Sequence, residues 1–297
     1  MINRFLQYMQ YEKNSSSHTV LSYHTDLVQF CEFLDIDPEE INPDSVDQQQ
    51  IQHWILSMLN EEKSARTISR KISSLKSFWK YLLLQNITKE NPTKKIILPK
   101  TNKPLPAFYK QSEMDNFLSD NKDIGGFERV RNRVIIELLY QTGLRVSELT
   151  ALTDKSIDYS EKQLKVLGKR DKERIIPIGS GLLKEIADYQ KIRNKEIIER
   201  EDFLFVLKSG KKIYSKAIYN IIKRNMPKYS TLRRQSPHVL RHTFATTLLD
   251  NGADINAVKD LLGHSSLAAT QVYTHVSFSE LNKIYKQAHP RAIKKRR

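Results

Sequence analysis

Cysteine is almost absent from this sequence. Its one cysteine, Cys31, can neither close a disulfide within the chain nor build a thiolate zinc site. Glycine and proline are scarce, with 9 and 10 residues among 297, and 39% of the residues are hydrophobic, which excludes a fibrous or disordered chain. No run reaches the roughly 18 apolar residues of a transmembrane helix, and the first residues lack the pattern of a signal peptide. We therefore expect a folded cytosolic protein that neither spans nor enters a membrane and that is long enough for two domains.

Negative charge is in deficit. The chain has 49 Lys and Arg against 34 Asp and Glu, a net charge of +15. Residues 1–60 hold two basic and nine acidic side chains, whereas residues 61–110 hold twelve basic and three acidic ones. A basic field of this density is typical of proteins that contact many phosphates. Composition alone is equally compatible with a ribosome-associated or merely basic protein.

Helical periodicity dominates the first ninety residues. Apolar residues repeat every 3.6 positions over 5–12, 19–34, 48–60 and 65–85, which predicts four helices and no strand. In the fourth, one stripe is apolar and another face carries basic and small polar residues that could follow phosphates or simply face solvent. The apolar stripe consists of Ile68, Ile72, Leu75, Trp79 and Leu82. The basic residues that we expect to contact DNA, here and in the segment that follows, are Arg66, Arg70, Lys76 and Lys100.

A change of pattern marks the middle of the chain. Residues 91–109 contain four prolines and four lysines without a period, which predicts an extended basic linker between domains at 1–90 and 110–297. Further on, residues 163–167 and 174–178 predict a β-hairpin whose tip spans 169–173. Helices are predicted over 111–121, 129–142, 182–193, 216–223 and 238–250, with Gly143 ending the second and Gly263 ending a later helix capped by Asp254. The fold class is mainly α with a small β-sheet in the C-terminal domain.

Five segments of the second domain carry polar residues suited to one site. Arg145 follows the helix end at Gly143, with Glu148 in the first turn of the next helix to orient it. Lys169 lies on the hairpin tip, and His238 and Arg241 are three residues apart on one helix face. The remaining segments contribute His264 in LLGH and Tyr273 in VYTH.

These motifs resemble those of the tyrosine recombinase (phage integrase) family, and the two-domain length resembles its Xer branch. The segments that carry the resemblance are SHTVLSYHTDLVQF, GLRVSEL, VLGKRDKERIIPI, HVLRHTFATTLLDNG and LLGHSSLAATQVYTH. The resemblance implies a C-shaped clamp of an N-terminal helical core-binding (SAM-like) domain and a mixed α+β catalytic domain with a C-terminal exchange helix. It also implies a catalytic set of Arg145, Lys169, His238, Arg241, His264 and the nucleophile Tyr273.

The chemistry of phosphodiester cleavage calls for the same residue types. Two guanidiniums can hold the non-bridging oxygens bidentately, and two histidines can add hydrogen bonds to the developing charge. The resemblance implies that Lys169 protonates the departing 5′ hydroxyl. We expect neither cofactor nor metal. His238 and His242 are four residues apart, but the glutamate that a zinc-protease motif requires directly after the first histidine is absent. We therefore give His242 a structural role.

The sequence therefore predicts a metal- and ATP-independent site-specific DNA recombinase that forms a 3′-phosphotyrosyl intermediate, with Xer-like resolution of chromosome or plasmid dimers favoured. Integration of a phage or mobile element, topoisomerase activity of type IB and a non-catalytic DNA-binding role are the alternatives. The expected partners are a double-stranded DNA site and a second recombinase subunit, itself or a paralogue, in a tetrameric synapse. The expected location is the cytoplasm of a bacterium, at the nucleoid.

The C-terminal segment has the pattern of a capped amphipathic helix. Ser277 and Glu280 have the spacing of a capping box, and the apolar flank that follows consists of Phe278, Leu281, Ile284, Tyr285 and Ala288. The apolar flank needs a partner, and the family resemblance implies that this helix docks into a neighbouring subunit, while packing against its own domain is the alternative.

Overall fold

A computed structural model describes residues 1–99, 107–120, 126–168, 173–263 and 278–292, without the side chains of 278–280. The chain forms two compact units, Met1–Pro104 and Leu105–Arg297. We refer to them as the N-terminal and C-terminal units. None of the helices in these ranges combines the length and the apolar character that a bilayer crossing requires.

The N-terminal unit is helical, as predicted. Helix α1 (Ile2–Gln7) continues into a π-helical turn (Tyr8–Glu12) and is followed by α2 (Ser17–Phe33), α3 (Gln48–Asn60) and α4 (Ala65–Leu84). Helices α2 and α4 each begin after a serine whose side chain accepts a backbone hydrogen bond from a threonine, and Asp47 and Gln50 form a capping box at α3. These caps satisfy amide groups that have no partner within the helix, and they set where each helix starts.

Helix α4 provides the largest share of the core in this unit. The whole predicted apolar stripe is buried there, with Trp79 against Phe30 and Phe78. The opposite face of α4 carries the exposed Arg66 and Arg70. The amphipathic pattern therefore determined which face of the helix packs inward.

Both ends of the predicted 91–109 linker pack on the unit that they adjoin. Ile96 belongs to the N-terminal core. Tyr109 is buried in the C-terminal unit, where its backbone amide donates to Thr243 Oγ1 at 2.9 Å. Apolar residues among the prolines and lysines thus attach the segment at both ends, a property that its composition as a whole concealed.

The C-terminal unit combines helices with one small antiparallel sheet. The helices are α5 (Gln111–Ser119), α6 (Phe127–Thr142), α7 (Val146–Ala151), α8 (Ser180–Glu196), α9 (Ser215–Asn225), α10 (Pro237–Asp250), α11 (Ile255–Leu262) and α12 (Phe278–Ala288). Strands β1 (Ile157–Asp158), β2 (Gln163–Leu167) and β3 (Glu173–Pro177) lie in the order β1-β2-β3. Strands β2 and β3 form the predicted hairpin and pair from Gln163 with Pro177 to Leu167 with Glu173. Strand β1, of two residues, was not predicted because so short a run shows no alternation.

Helix α6 is the central element of this unit. It is buried from Val134 to Thr142 and packs against α8 and α10. Because α6 is enclosed by its neighbours, the turn at its C-terminal end is held at a defined place in the unit. That turn carries Arg145.

Helix α12 packs against α10, α11 and β3 of its own unit. Tyr285 and Ala288 are buried there together with Phe244 and Leu262, so the predicted apolar flank is in part covered within the chain. The prediction that this helix docks into a neighbouring subunit stays a prediction.

His289, directly after α12, is buried in the same region. Its ring packs on Tyr285 and Tyr140 with centroid separations of 5.3 and 5.2 Å, and its Nδ1 accepts a hydrogen bond from the backbone amide of Arg291. Burial, with the positive charge of Arg291, lowers the pKa of His289 to about 3. The folded protein therefore holds this imidazole neutral where the unfolded chain protonates it.

Acid should destabilise the C-terminal unit through His289. Since an unfolded histidine titrates near pH 6.5, the free energy of unfolding should fall by about 1.4 kcal/mol per pH unit from this group between roughly pH 6 and pH 4. The variant His289→Phe should lose that component of the slope, as measured by urea unfolding at several pH values. His18→Gln, which removes an exposed histidine, is the control and should keep the wild-type slope. An unchanged slope in His289→Phe would show that the buried ring is protonated in the folded state.

Candidate active site

A glycine turn delivers Arg145 to the site. Helix α6 ends at Gly143, whose φ of 61° is left-handed, and two residues later Arg145 is the N-cap residue of α7. A Cβ atom on Gly143 would lie 2.6 Å from Phe244 Cδ1 and 2.8 Å from Leu262 Cδ2. Only glycine suits both this backbone conformation and this close packing.

Glu148 orients Arg145, as the sequence predicted. One carboxylate oxygen accepts from the backbone amide of Arg145 at 2.7 Å, and the other accepts from Arg145 Nη1 at 2.8 Å. The Glu148 side chain is 4% exposed and that of Arg145 is 36% exposed, so the guanidinium is open to solvent while its carboxylate partner is not. Burial alone would raise the pKa of Glu148, but hydrogen bonds from Arg174 and Arg145 outweigh it and lower the pKa below its ordinary value. Glu148 is a carboxylate at neutral pH.

Arg241 reaches the same place from α10. Its Nη1 donates to the carbonyl oxygen of Gly143 at 2.6 Å, and its Nη2 donates to that of Leu262 at 2.7 Å. Burial, with the nearby positive charge of Arg145, lowers the pKa of Arg241 to about 10. The group is still charged at neutral pH.

A third arginine, Arg174 on β3, completes the group. Its Nη1 and Nη2 donate to the two oxygens of Glu148, both at 2.8 Å, and its Nε donates to the carbonyl oxygen of Leu261 at 3.1 Å. We call Arg145, Arg174 and Arg241 the arginine cluster.

The C-terminal end of α11 unites the arginine cluster. Three successive carbonyl oxygens, those of Leu261, Leu262 and Gly263, accept from Arg174, Arg241 and Arg145 respectively. The last carbonyl groups of a helix have no partner within it and carry partial negative charge, so a helix end is a favourable place to hold cations. The carbonyl groups hold the guanidiniums without neutralising them. In the described part of the site, the carboxylate of Glu148 pairs with two of the three guanidiniums, those of Arg145 and Arg174, and the positive charge of the cluster suits an anion such as phosphate.

Other predicted site residues are divided between described and undescribed parts of the chain. His238 is exposed in the first turn of α10, one turn before Arg241. Lys169, His264 and Tyr273 lie outside the described residues, although in sequence Lys169 is between β2 and β3 and His264 directly follows Gly263. The structure thus brings Arg145 and Arg241 together and leaves the complete set of six a prediction.

Comparison with known proteins identifies the family. Residues 108–280 match the phage integrase family, and residues 2–86 match the N-terminal SAM-like domain of phage integrases. The chain belongs to the phage integrase family. Tyrosine recombinase XerD of Staphylococcus aureus is 35% identical over 294 residues, which cover 98% of this chain and 99% of XerD. Tyrosine recombinase XerC of Chlorobaculum tepidum is 34% identical over 317 residues, covering 98% of this chain and 94% of XerC.

Solved structures share the fold of this family member. The Tn1549 transposon integrase in complex with transposon right end DNA aligns with a TM-score of 0.70 at 21% identity, over 95% of this chain and 97% of that one. The XerH recombinase bound to its difH substrate aligns with a TM-score of 0.67 at 22% identity, over 96% of this chain and 84% of that one. The predicted family and fold class are therefore confirmed.

The arginine of β3 is the site residue that sequence reasoning missed. Arg174 stands in the quoted motif VLGKRDKERIIPI but received no role. The signal that could have found it is its place in a strand, opposite the buried Val166. A charged side chain at such a position needs a partner of opposite charge, and Glu148 is that partner. The carbonyl groups of α11 left no signal of their own beyond the helix-ending Gly263.

The predicted DNA-contacting residues of this integrase-family chain have different surroundings in the N-terminal unit. Arg66 is exposed, whereas Lys76 is half-buried. Arg70 is exposed but donates to Asp26, a fully buried carboxylate that also pairs with Lys71. Lys100 lies outside the described residues. Arg70 therefore has a structural partner as well as a predicted DNA contact.

Replacing Gly143 should damage the site from within. Gly143→Ala places a Cβ against Phe244 and Leu262 and forces an alanine into the left-handed region, which should lower the free energy of unfolding by roughly 2–4 kcal/mol. Chemical denaturation measures the change. The control Gly181→Ala, in the first turn of α8 with nothing within 4 Å of the added methyl, should keep or slightly raise stability. Equal stability of both variants would show that the turn relaxes freely.

Proposed function

We propose that this chain is a site-specific DNA recombinase that cleaves and rejoins DNA through a 3′-phosphotyrosyl intermediate. The observation that carries the proposal is the pair Arg145 and Arg241, held on backbone carbonyl groups of Gly143, Leu262 and Gly263 beside a buried carboxylate. The full-length relatives named tyrosine recombinase support it. Xer-like resolution of chromosome or plasmid dimers is the role that these relatives favour, which would place the protein on bacterial DNA in the cytoplasm.

The arginines serve the phosphate. Two fixed guanidiniums can each donate to the non-bridging oxygens of the scissile phosphate, on which negative charge grows during attack. Protein groups fix their positions: backbone carbonyl oxygens accept from both guanidiniums, and the carboxylate of Glu148 also accepts from Arg145. His238, exposed on the helix that carries Arg241, and His264 would add hydrogen bonds to the same oxygens.

Cleavage and rejoining conserve the energy of the phosphodiester. Tyr273 Oη attacks phosphorus, forms the phosphotyrosyl bond to the 3′ end and releases the 5′ oxygen, which takes a proton from Lys169. The cations around the phosphate favour the phenolate that attacks. Attack by the 5′ hydroxyl of a second strand then reverses both steps and frees the tyrosine, so that no nucleoside triphosphate is consumed.

The remaining predicted parts support strand exchange. A domain at 1–90 with Arg66, Arg70 and Lys76, and the basic segment 91–109 with Lys100, would bind the duplex together with the catalytic domain at 110–297. Helix α12 would move from its own unit to a neighbouring subunit, itself or a paralogue, in a tetrameric synapse. Because α12 follows Tyr273 by only a few residues, such an exchange would link assembly to the position of the nucleophile.

Tyr273→Phe should abolish covalent DNA attachment and leave DNA affinity nearly unchanged, since only the attacking oxygen is removed. The target is first identified by sequencing genomic fragments that remain covalently bound to the wild-type protein. A nicked duplex of that sequence then traps the covalent complex on a denaturing gel. Tyr214→Phe, which removes an exposed hydroxyl from the same unit, should trap DNA like the wild type. Covalent complex with the Tyr273→Phe variant would mean that another residue is the nucleophile.

Lys169→Ala should slow cleavage of ordinary DNA by roughly 100-fold or more, the usual contribution of a general acid. On a 5′-bridging phosphorothiolate the defect should nearly disappear, because the sulfur leaves without a proton. Single-turnover rates on both substrates give the ratio. Lys165→Ala, an exposed lysine in the same hairpin, should show no difference between the two substrates. If Lys169→Ala slows cleavage of the two substrates equally, Lys169 positions the phosphate or the hairpin and is not the general acid.

A further inference from the structure

Arg174 has hydrogen-bonding partners on every nitrogen of its guanidinium. Nη1 and Nη2 bind Glu148, and Nε binds the carbonyl oxygen of Leu261. Its side chain is 13% exposed, against 36% for Arg145. The planar fork of Arg174 is therefore directed at the protein, whereas Arg145 is the more open to a ligand.

Glu148 links Arg174 to Arg145. Each of its two oxygens accepts from both arginines: Oε1 from Arg145 Nη1 and Arg174 Nη1, and Oε2 from the Arg145 backbone amide and Arg174 Nη2. Without Arg174, the buried carboxylate would keep one cation partner in place of two and could rotate toward it. The direction of Arg145 depends on that carboxylate, so it depends on Arg174 as well.

Arg174 also meets the end of α11 directly. It binds Leu261, the residue before the two whose carbonyl groups hold Arg241 and Arg145. A Cβ on Gly263 would lie 3.1 Å from Arg174 Nη1, so the guanidinium lies against the backbone at the point where α11 ends. The end of α11, which supplies these carbonyl groups, is thus in contact with one side chain of the hairpin.

The hairpin itself carries the predicted general acid. Arg174 is the second residue of β3 and pairs with Val166 on β2, and the loop between these strands contains Lys169. One side chain therefore connects the strand that bears the hairpin loop with the carboxylate and the helix end that hold the phosphate-binding arginines.

We propose that Arg174 is a positioning residue for DNA cleavage, which orients Arg145 through Glu148, locates the end of α11 and ties both to the β2–β3 hairpin. This rests on the proposed recombinase function. Arg174 itself contacts no phosphate in this assignment, and its effect on the reaction passes through Arg145 and Arg241.

The test compares Arg174→Gln and Arg174→Lys in the full chain. Both should lower the single-turnover cleavage rate by roughly 10- to 100-fold, the effect expected when a phosphate-binding group is misplaced by about 1 Å, and both should change DNA affinity little. Lysine should not restore the rate, because it keeps the charge but loses the fork. A wild-type rate with lysine would reduce Arg174 to a simple charge and overturn the proposal.

A matched control separates positioning from stability. Arg193 is also a buried arginine of this unit and binds Asp154 through Nη1 and Nη2 at 2.8 and 2.7 Å, away from the arginine cluster. Arg193→Lys should lower the melting temperature about as much as Arg174→Lys, yet keep the cleavage rate of the folded protein. A cleavage loss in Arg193→Lys equal to that in Arg174→Lys would mean that both residues act through stability alone.

Coupling to Arg145 gives the decisive rate measurement. In the wild type, Arg174→Gln lowers the cleavage rate by some factor. In an Arg145→Lys background this factor should be at least about threefold smaller, since the main route by which Arg174 acts is already impaired. If the rate reductions of the two single variants multiply to within about twofold of the reduction in the double variant, Arg174 acts independently of Arg145 and the proposal is wrong.

A spectroscopic readout does not depend on DNA cleavage. In the DNA-free protein, carbon-13 NMR should show the pKa of Glu148 rising from its low value in Arg174→Gln, because burial remains while the largest hydrogen-bonding contribution is gone. An unchanged pKa would show that the contact is not made and would overturn the proposal even if the wild type cleaves DNA. If the pKa of Glu148 rises in Arg174→Gln but the wild-type protein does not cleave DNA, the contact is present and the recombinase function is wrong.

Discussion

The structure of the site depends on cations held at the end of a helix. Three guanidiniums meet three successive carbonyl groups of α11, and the buried carboxylate of Glu148 orients two of them. Carbonyl groups attract cations through partial charges, so the arginines are fixed without losing the positive charge that a phosphate needs. A second full carboxylate in their place would have immobilised the arginines equally well but would have cancelled much of that charge.

Core packing and catalytic geometry are closely connected in this protein. Phe244 and Leu262 bury apolar surface against the α6 turn, and the same turn supplies the carbonyl group of Gly143 to Arg241. Leu262 both packs in the core and binds Arg241 through its backbone. Displacement of α11 or the end of α6 would therefore move a hydrogen-bond acceptor of the arginine cluster, and displacement of α10 would move Arg241 itself. Helix α12 lies against this core, so a change in its docking could reach the site through α11.

Local sequence patterns were sufficient to predict most helices and strands and one contact of the site, that between Glu148 and Arg145. The apolar stripe of α4, the β2–β3 hairpin and the helix ends at Gly143 and Gly263 follow from periodicity and backbone preference, which act between near neighbours in the chain. Glu148 was correctly expected to orient Arg145, because three residues separate them. Strand β1 and the attachment of Ile96 and Tyr109 were missed, since each depends on packing against distant residues.

Motifs of a few residues were enough to indicate the family and the kind of chemistry, and the proline- and lysine-rich segment 91–109 indicated two domains. How the arginines are held follows instead from the packing of elements that are distant in the chain. Arg174 reaches Glu148 across 26 positions of the chain, and Arg145 reaches Gly263 across 118. Contacts over such separations depend on how helices and strands pack, and backbone carbonyl groups are the same in every residue. No side-chain pattern could therefore reveal that the end of α11 is the surface on which the arginine cluster is assembled.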